Sequence, residues 1–395
     1  MFTTRVSAIG LAALAVAQFG VMPASAAQAP HWRRLTAPVG SGATLGPITA
    51  TARDDAWAAG GQLIPHHHQT AAHALPRTSR SGSDQCDDSK VFTSRMLRWQ
   101  AGAWRRVPVP EVGGIGSISS AGRANLWATA ECGILHWSGR RWIQVPGPKV
   151  PGAADVFVRQ VKATGAAGAW LVGTAYDSIS HSGTMRGFVQ RWDGRTWRAV
   201  PLPGLGDDFS LDSLDMRSPK DVWAVGTDYT GNTDHPERLL LLHWDGHTWR
   251  RTPQPSTGLE TQRVTKVRAF AQHDMWLVGW GRRDAVAPRR PMVLHWNGRT
   301  WTATQVPADA VGELFDLARD GHDLQVAGDT FKGWGPYGMP LMLHWTGRSW
   351  VKAPAPTGEL GSVQGLASIP GGGLWGTGYT VKGDTLGNPL LARRG

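Results

Sequence analysis

The sequence predicts an all-β chain folded as a seven-bladed propeller, with four antiparallel strands in each blade. Three observations lead there. A Trp-turn-Trp phrase recurs, as in LLHWDGHTWRR at 241–251, VLHWNGRTWTA at 293–303 and MLHWTGRSWVK at 342–352. The later copies of its second Trp are spaced 49 to 55 residues apart, a period that means a solenoid or a propeller. Each repeat holds four short strand-like runs, which decides for a propeller blade. Composition agrees: 50 Gly, 26 Pro and 21 Trp with 18% charged residues suit short strands joined by many turns.

Taken in order, each repeat has three Trp positions. The first follows a short polar turn: Trp57, Trp127, Trp170, Trp223, Trp276 and Trp375, with Gln325 in the remaining slot. The second precedes the tight turn, at Trp99, Trp137, Trp192, Trp244, Trp296 and Trp345. The third follows that turn, at Trp104, Trp142, Trp197, Trp249, Trp301 and Trp350, with Trp32 as a seventh copy near the N-terminus. In the fourth repeat the strands are expected at 211–217, 222–227, 239–244 and 248–252. Asp-Gly and Asn-Gly at 245–246 and 297–298 mark hairpins, because Gly supplies φ > 0 at little cost. The two Trp flanking such a turn leave the same face of the hairpin and offer indole to the next blade. The C-terminal NPLLARRG lacks what should follow it, and the N-terminal HWRRLTAP lacks what should precede it. Joined, they complete the seventh blade: three C-terminal strands and one N-terminal strand. Such closure removes open sheet edges.

The first 26 residues read as a secretory leader: Arg5, a mostly apolar run, and Ala24-Ser25-Ala26 as a cleavage site. Residues 27–395 are then one propeller domain, expected to be secreted and extracellular. No later stretch is apolar and long enough to span a membrane. The two cysteines, Cys86 and Cys132, are expected to pair, as an even count in an exported chain suggests. Their loops would be neighbours in adjacent blades. Cys86 lies in an insertion at about 62–94 of the first repeat, which also holds His66, His67, His68 and His73. Their spacing fits no defined metal site, and the segment reads as a solvated loop. No metal or other cofactor is expected.

The repeated D-x-W-x-x-G, as in Asp221, Trp223 and Gly226, and the W-[DN]-G-x-T-W turns resemble secreted bacterial β-propellers of the kelch and Asp-box type. The resemblance covers nearly all of the chain after the leader. It implies the fold and little of the function, because propellers host enzymes, lectins and scaffolds alike.

Turns between strands one and two, and between strands three and four, are short and alike, and fall on one face of the disc. Loops between strands two and three, at 175–186, 228–237, 281–290, 330–338 and 381–387, are long and unlike one another. They fall on the opposite, varied face, where a binding site is expected. The aromatics outside the repeat gather there: Tyr176, Tyr229, Trp280, Trp334, Tyr337 and Tyr379, with Asp228 and Arg282 beside them. Rings beside carboxylates and arginines suit a sugar, the ring on the pyranose and the polar groups on its hydroxyls. The first expectation is therefore lectin-like binding of a glycan or an anionic cell-wall polymer. The alternative is a protein-interaction scaffold in an extracellular assembly, recognisable by an apolar patch on that face. A third class is a polysaccharide hydrolase or lyase.

No G-x-S-x-G or H-E-x-x-H is present, and no two carboxylates are marked as an acid/base pair, so no catalytic residue is assigned. The formal net charge is +11, but many arginines follow the third Trp, as at Arg105, Arg198 and Arg250, where they guard the outer strand edges. Specific nucleic-acid binding would want that charge on one face. His136, His243, His295 and His344 precede the second Trp in separate blades and are expected to be structural.

Overall fold

The computed structural model describes residues 31–64, 79–80, 92–165, 167–181, 183–229, 237–330, 337–383 and 385–395. They form seven antiparallel sheets arranged in a ring, with no helix among them. Blade 4 shows the pattern from the centre outward: Phe209–Ser218, Asp221–Asp228, Arg238–Trp244 and Trp249–Arg251. Blade 5 follows with Thr261–Ala271, Asp274–Arg282, Arg290–Trp296 and Trp301–Ala303. The seventh blade takes Gly361–Ser368, Leu374–Lys382 and Thr385–Arg394 from the C-terminus and Trp32–Arg34 from the N-terminus. Trp32 pairs with Arg394 and Arg34 with Ala392, so the chain ends close the ring as expected.

The flanking tryptophans of each hairpin are direct cross-strand partners, as Trp244 is to Trp249. Four residues lie between them. The Asp or Asn that opens the turn caps it: Asp245 Oδ1 accepts the amides of His247 and Thr248 at 2.9 and 2.8 Å, and Asn297 repeats the arrangement. The Gly that follows takes φ near +98° and +95° at Gly246 and Gly298, a region open to Gly.

The first Trp of each blade then enters the pair carried by the next blade. Trp223 lies 5.0 Å from Trp296 and 5.5 Å from Trp301, and Trp57 lies 4.9 Å from Trp137 and 5.6 Å from Trp142. Trp127, Trp170, Trp276 and Trp375 repeat the trio at their own seams. The expected role of the phrase, packing between blades, is thus its observed role. Six of the seven seams are of this kind. Between blades 6 and 7 the first position is Gln325 and the second is Arg394, and the Arg394 guanidinium sits 2.5 Å from Asp323 instead.

The polar residues of the motif brace the first Trp. Asp221 Oδ1 lies 2.9 Å from His243 Nε2, and the His243 ring stacks on Trp223 at 4.4 Å. His136 and His295 stack likewise on Trp127 and Trp276, and Arg98 covers Trp57 at 4.6 Å while pairing with Asp55. Each ring therefore has a planar cation or imidazole on one face and the next blade's indoles against it. The motif glycine has a steric cause. Every inner strand carries a register shift, as between Leu211 and Ser213. In blade 4 the shift brings the Ser210 carbonyl to 1.9 Å from where a Cβ on Gly226 would stand, and Gly279 meets the Arg263 carbonyl at 2.0 Å.

One element differs from expectation. Ser79–Arg80, from the blade 1 insertion, pairs antiparallel with Val158 and Phe157 on the channel side of the blade 3 inner strand. At least this part of the insertion is held by backbone bonds and is not a free loop.

Replacing Trp223 by Ala opens a cavity at the seam between blades 4 and 5 and is expected to cost about 3–5 kcal/mol. Urea unfolding measures this; a midpoint equal to wild type would show that the interlocked indoles do not hold the seam.

Candidate functional site

Inner strands of a propeller line its axis, and here polar side chains bond across every seam, from these strands at all but one and from Thr377 on the second strand of blade 7 at the other. Ser117 and Ser119 accept the amides of Val161 and Ala163 at 3.3 and 3.1 Å, and Ser213 donates to Gln160 at 2.7 Å. Ser213 and Asp215 accept the amides of Val267 and Ala269, Thr265 donates to the Leu314 carbonyl, and Asp316 accepts the Leu366 amide. Thr377 donates to Gly46, and Thr49 meets Ser120 at 2.8 Å, closing the circle. Each bond satisfies a group that burial would otherwise leave costly.

The charges on this wall are one-sided. Blades 3 to 6 carry Lys162 paired with Asp215, Arg159 at 3.7 Å from Asp212, and Arg268 bridging both oxygens of Asp316 at 2.9 and 3.0 Å. Lys266 stands among them with no hydrogen-bond partner among the described residues, and burial pushes its ammonium down to about 8, against the pull of Asp316. Burial likewise raises the Asp212 carboxyl, with Arg159 and Ser210 opposing it. A cavity of about 190 Å³ lies toward the uniform face, lined by Ile48, Asp215, Arg268, Phe270 and Leu366.

On the varied face, three of the residues singled out from the sequence come together. Tyr229, Trp280 and Arg282 meet at blades 4 and 5, joined by two arginines that the aromatic pattern did not flag, Arg263 and Arg289. The Arg289 guanidinium is 4.2 Å from the Trp280 ring, and those of Arg263 and Arg282 are each 5.8 Å away. Arg263 also lies 5.6 Å from Tyr229 and grips Glu237 through two bonds of 2.7 and 2.5 Å. Its bond to Glu237 holds the Arg263 guanidinium above its usual range. Arg289 pairs with Glu313. Trp280 is 8% exposed, so no bare indole face is offered to a sugar.

The other expected residues lie elsewhere. Tyr337 and Tyr379 form an edge-to-face pair at 6.5 Å, Tyr379 being buried and its phenol raised by that burial. Asp329 is nearby, and burial pushes its carboxyl up to about 6. Tyr176 packs on His181 at 4.6 Å and on Phe157 at 5.6 Å. Asp228 is buried and takes Arg251 of its own blade at 2.8 Å. That bond makes Asp228 part of the blade and removes it from the exposed face. Several of these residues close strands and do not sit in loops: Leu374–Lys382 contains Tyr379, Asp274–Arg282 contains Trp280, and Asp221–Asp228 ends on Asp228. The loop expected at 381–387 is mostly strand, interrupted at Gly383. Trp334, Cys86 and the histidines at 66–68 and 73 lie outside the described residues. Among the described residues no cluster of three or more His, Cys, Asp or Glu could hold a metal, and no cysteine is free.

The missed residues had a signal. An inner strand should read small and apolar, yet four successive repeats place charge there: Arg159 and Lys162, Asp212 and Asp215, Arg263, Lys266 and Arg268, then Asp316.

No family model matches the sequence, and no curated protein matches it. Solved structures do. YCF48 bound to D1 peptide superposes with a TM-score of 0.52 at 16% identity, covering 92% of this chain and 94% of that one. The WD40 β-propeller domain of Doa1 gives 0.49 at 9% identity, covering 93% and 97%. At these identities the likeness is one of fold.

Lys266 tests the channel's electrostatics. Its folded pKa lies below the unfolded one, so the folded state holds the ammonium at a cost below about 8, and stability rises with pH between about 8 and 10.5. Lys266→Met is expected to raise the urea midpoint at pH 7, with the gain shrinking above about pH 8 and gone by about pH 10.5. A lower midpoint at pH 7 would mean that Asp215 and Asp316 need this charge.

Proposed function

We propose that the protein is a secreted, non-catalytic scaffold that binds an extracellular partner with its varied face, and that the partner is a protein. One observation carries the choice of face and partner. Large apolar side chains stand in solvent at three places along it: Ile179 at 60% exposure, Val286 at 94% and Leu360 at 43%. They occupy loops of blades 3 and 5 and the connection between blades 6 and 7, while the opposite face carries short, self-capped turns. Exposed apolar groups rimmed by polar ones are what protein partners bury. YCF48 carries a bound peptide on the same fold, which supports the class and no more.

The kelch and Asp-box kinship, the leader at 1–26 and a Cys86–Cys132 bond belong to the same proposal. Glycan binding remains the second reading, favoured by the arginines beside Trp280 and Tyr229. It is weakened because Trp280 and Tyr379 are covered, at 8% and 7% exposure.

The secreted protein, screened on a glycan array and against purified extracellular proteins at physiological salt, is expected to retain a protein and no neutral sugar. Ile179→Asp, Val286→Asp and Leu360→Asp should each weaken that binding at least tenfold while unfolding within about 0.5 kcal/mol of wild type. Retention of a defined sugar, with these variants unaffected, would replace the proposal by the lectin reading. Mass measured without reductant should show no free thiol; two free thiols would remove the proposed bond.

A further inference from the structure

The loop between the second and third strands of blade 5 separates two surfaces. On one side Arg282 turns toward Trp280. On the other, Arg283 borders a groove of about 550 Å³ with Leu259, Met292 and Val306 along it. Val286 stands at the tip between them. The loop shapes itself with its own carboxylate, since Asp284 Oδ1 accepts the amides of Val286 and Ala287 at 3.0 and 2.7 Å.

Five arginines, Arg263, Arg282, Arg283, Arg289 and Arg290, stand here with four carboxylates, Glu237, Glu260, Asp284 and Glu313, and Asp284 is engaged by the loop's own amides. Glu237 is taken by Arg263 and Glu313 by Arg289. Among the described residues the Arg282 guanidinium donates only to the Ala285 carbonyl, at 3.3 Å, and its Nε is shut from solvent with no acceptor. Arg290 is spent on the carbonyls of Pro307 and Ala308. Among the described residues, neither Arg282 nor Arg283 has a carboxylate partner. One such guanidinium, Arg283, borders the apolar groove and the other, Arg282, stands across the loop from it, and guanidinium forks are matched by carboxylates.

Resting on the proposal that the varied face binds protein, we propose that this loop is a two-part site for an extended acidic polypeptide segment. A carboxylate of the segment meets Arg282 and Arg283, and a neighbouring aliphatic side chain enters the groove over Leu259 and Val306. The groove favours polypeptide over polysaccharide, because Leu259, Met292, Val293 and Val306 make most of its lining apolar and the Trp280 ring is already covered by Arg289.

A phage-displayed pool of linear heptapeptides, panned on the full secreted protein, tests the site. Clones pairing Asp or Glu with Leu, Ile or Val are expected to be enriched. Arg282→Gln with Arg283→Gln should reduce their binding at least tenfold, Val306→Arg should do the same by filling the groove, and Arg282→Lys should restore part of it. Wild-type thermal unfolding of each variant separates a lost site from a lost fold. Enriched clones without acidic residues, or acidic clones indifferent to these variants, overturn the site. If such clones are instead lost with Ile179→Asp or Leu360→Asp, the varied face still binds protein and only this site falls. If no clone responds to any varied-face variant, both fall. Polygalacturonate held through Arg282 in place of any peptide would assign the site to an acidic glycan.

Discussion

The structure depends on one contact made six times: the indole of one blade wedged between two indoles of the next. A four-stranded blade cannot bury its own face, so its stability is borrowed from its neighbours and exists only when the ring is complete. Each wedge is covered from its own blade by a His or Arg, which an Asp or Asn holds in place in four of the six, at Trp57, Trp127, Trp223 and Trp276. The trio is therefore positioned from both sides before the seam closes. Where the chain ends meet, the first and second Trp positions are surrendered to Gln325 and Arg394, and the Arg394–Asp323 pair stands in their place. The ring is closed there by backbone pairing to Trp32–Arg34, which does not need the full aromatic set.

Toward the axis the same problem is solved with polar groups. Register shifts in all seven inner strands displace the backbone enough that the second strand must present Gly at several blades. Side-chain hydroxyls, amides and carboxylates then reach across to the next blade's backbone. On blades 7, 1 and 2 this ring is neutral. On blades 3 to 6 it is ionic, and the ionic stretch runs up to the arginines beside Trp280. The channel wall and the candidate site thus share one electrostatic field, with cations in excess.

The two faces of the disc differ because their turns answer different demands. Turns on one face are fixed by Asx capping and glycine, leaving little freedom to vary. Connections on the other close no hairpin of fixed geometry and are free to carry Ile179, Val286, Leu360 and the Arg282–Arg283 pair. The arginines around Trp280 also change the meaning of the aromatics there. A ring covered by guanidinium no longer serves as a stacking platform, but it does hold those guanidiniums in fixed positions.

By itself the sequence determined the blade count, the strand order, the closure by the N-terminal strand and the role of the Trp phrase, because all of these follow from local periodicity. Fourth-blade strands expected at 211–217 and 222–227 appear at Phe209–Ser218 and Asp221–Asp228, longer because pairing extends at both ends, to Phe209 with Asp228 and to Ser218 with Asp221. Tertiary structure alone decided which side chains meet there. Arg263 comes from an inner strand, Arg289 from a loop and Glu237 from the neighbouring blade, and no spacing in one repeat encodes a meeting across a seam. It also decided that Asp228 serves its own blade through Arg251, and that Trp280 lies beneath arginines. Periodicity reports what each blade must bury; only the closed ring shows which charges are left facing one another.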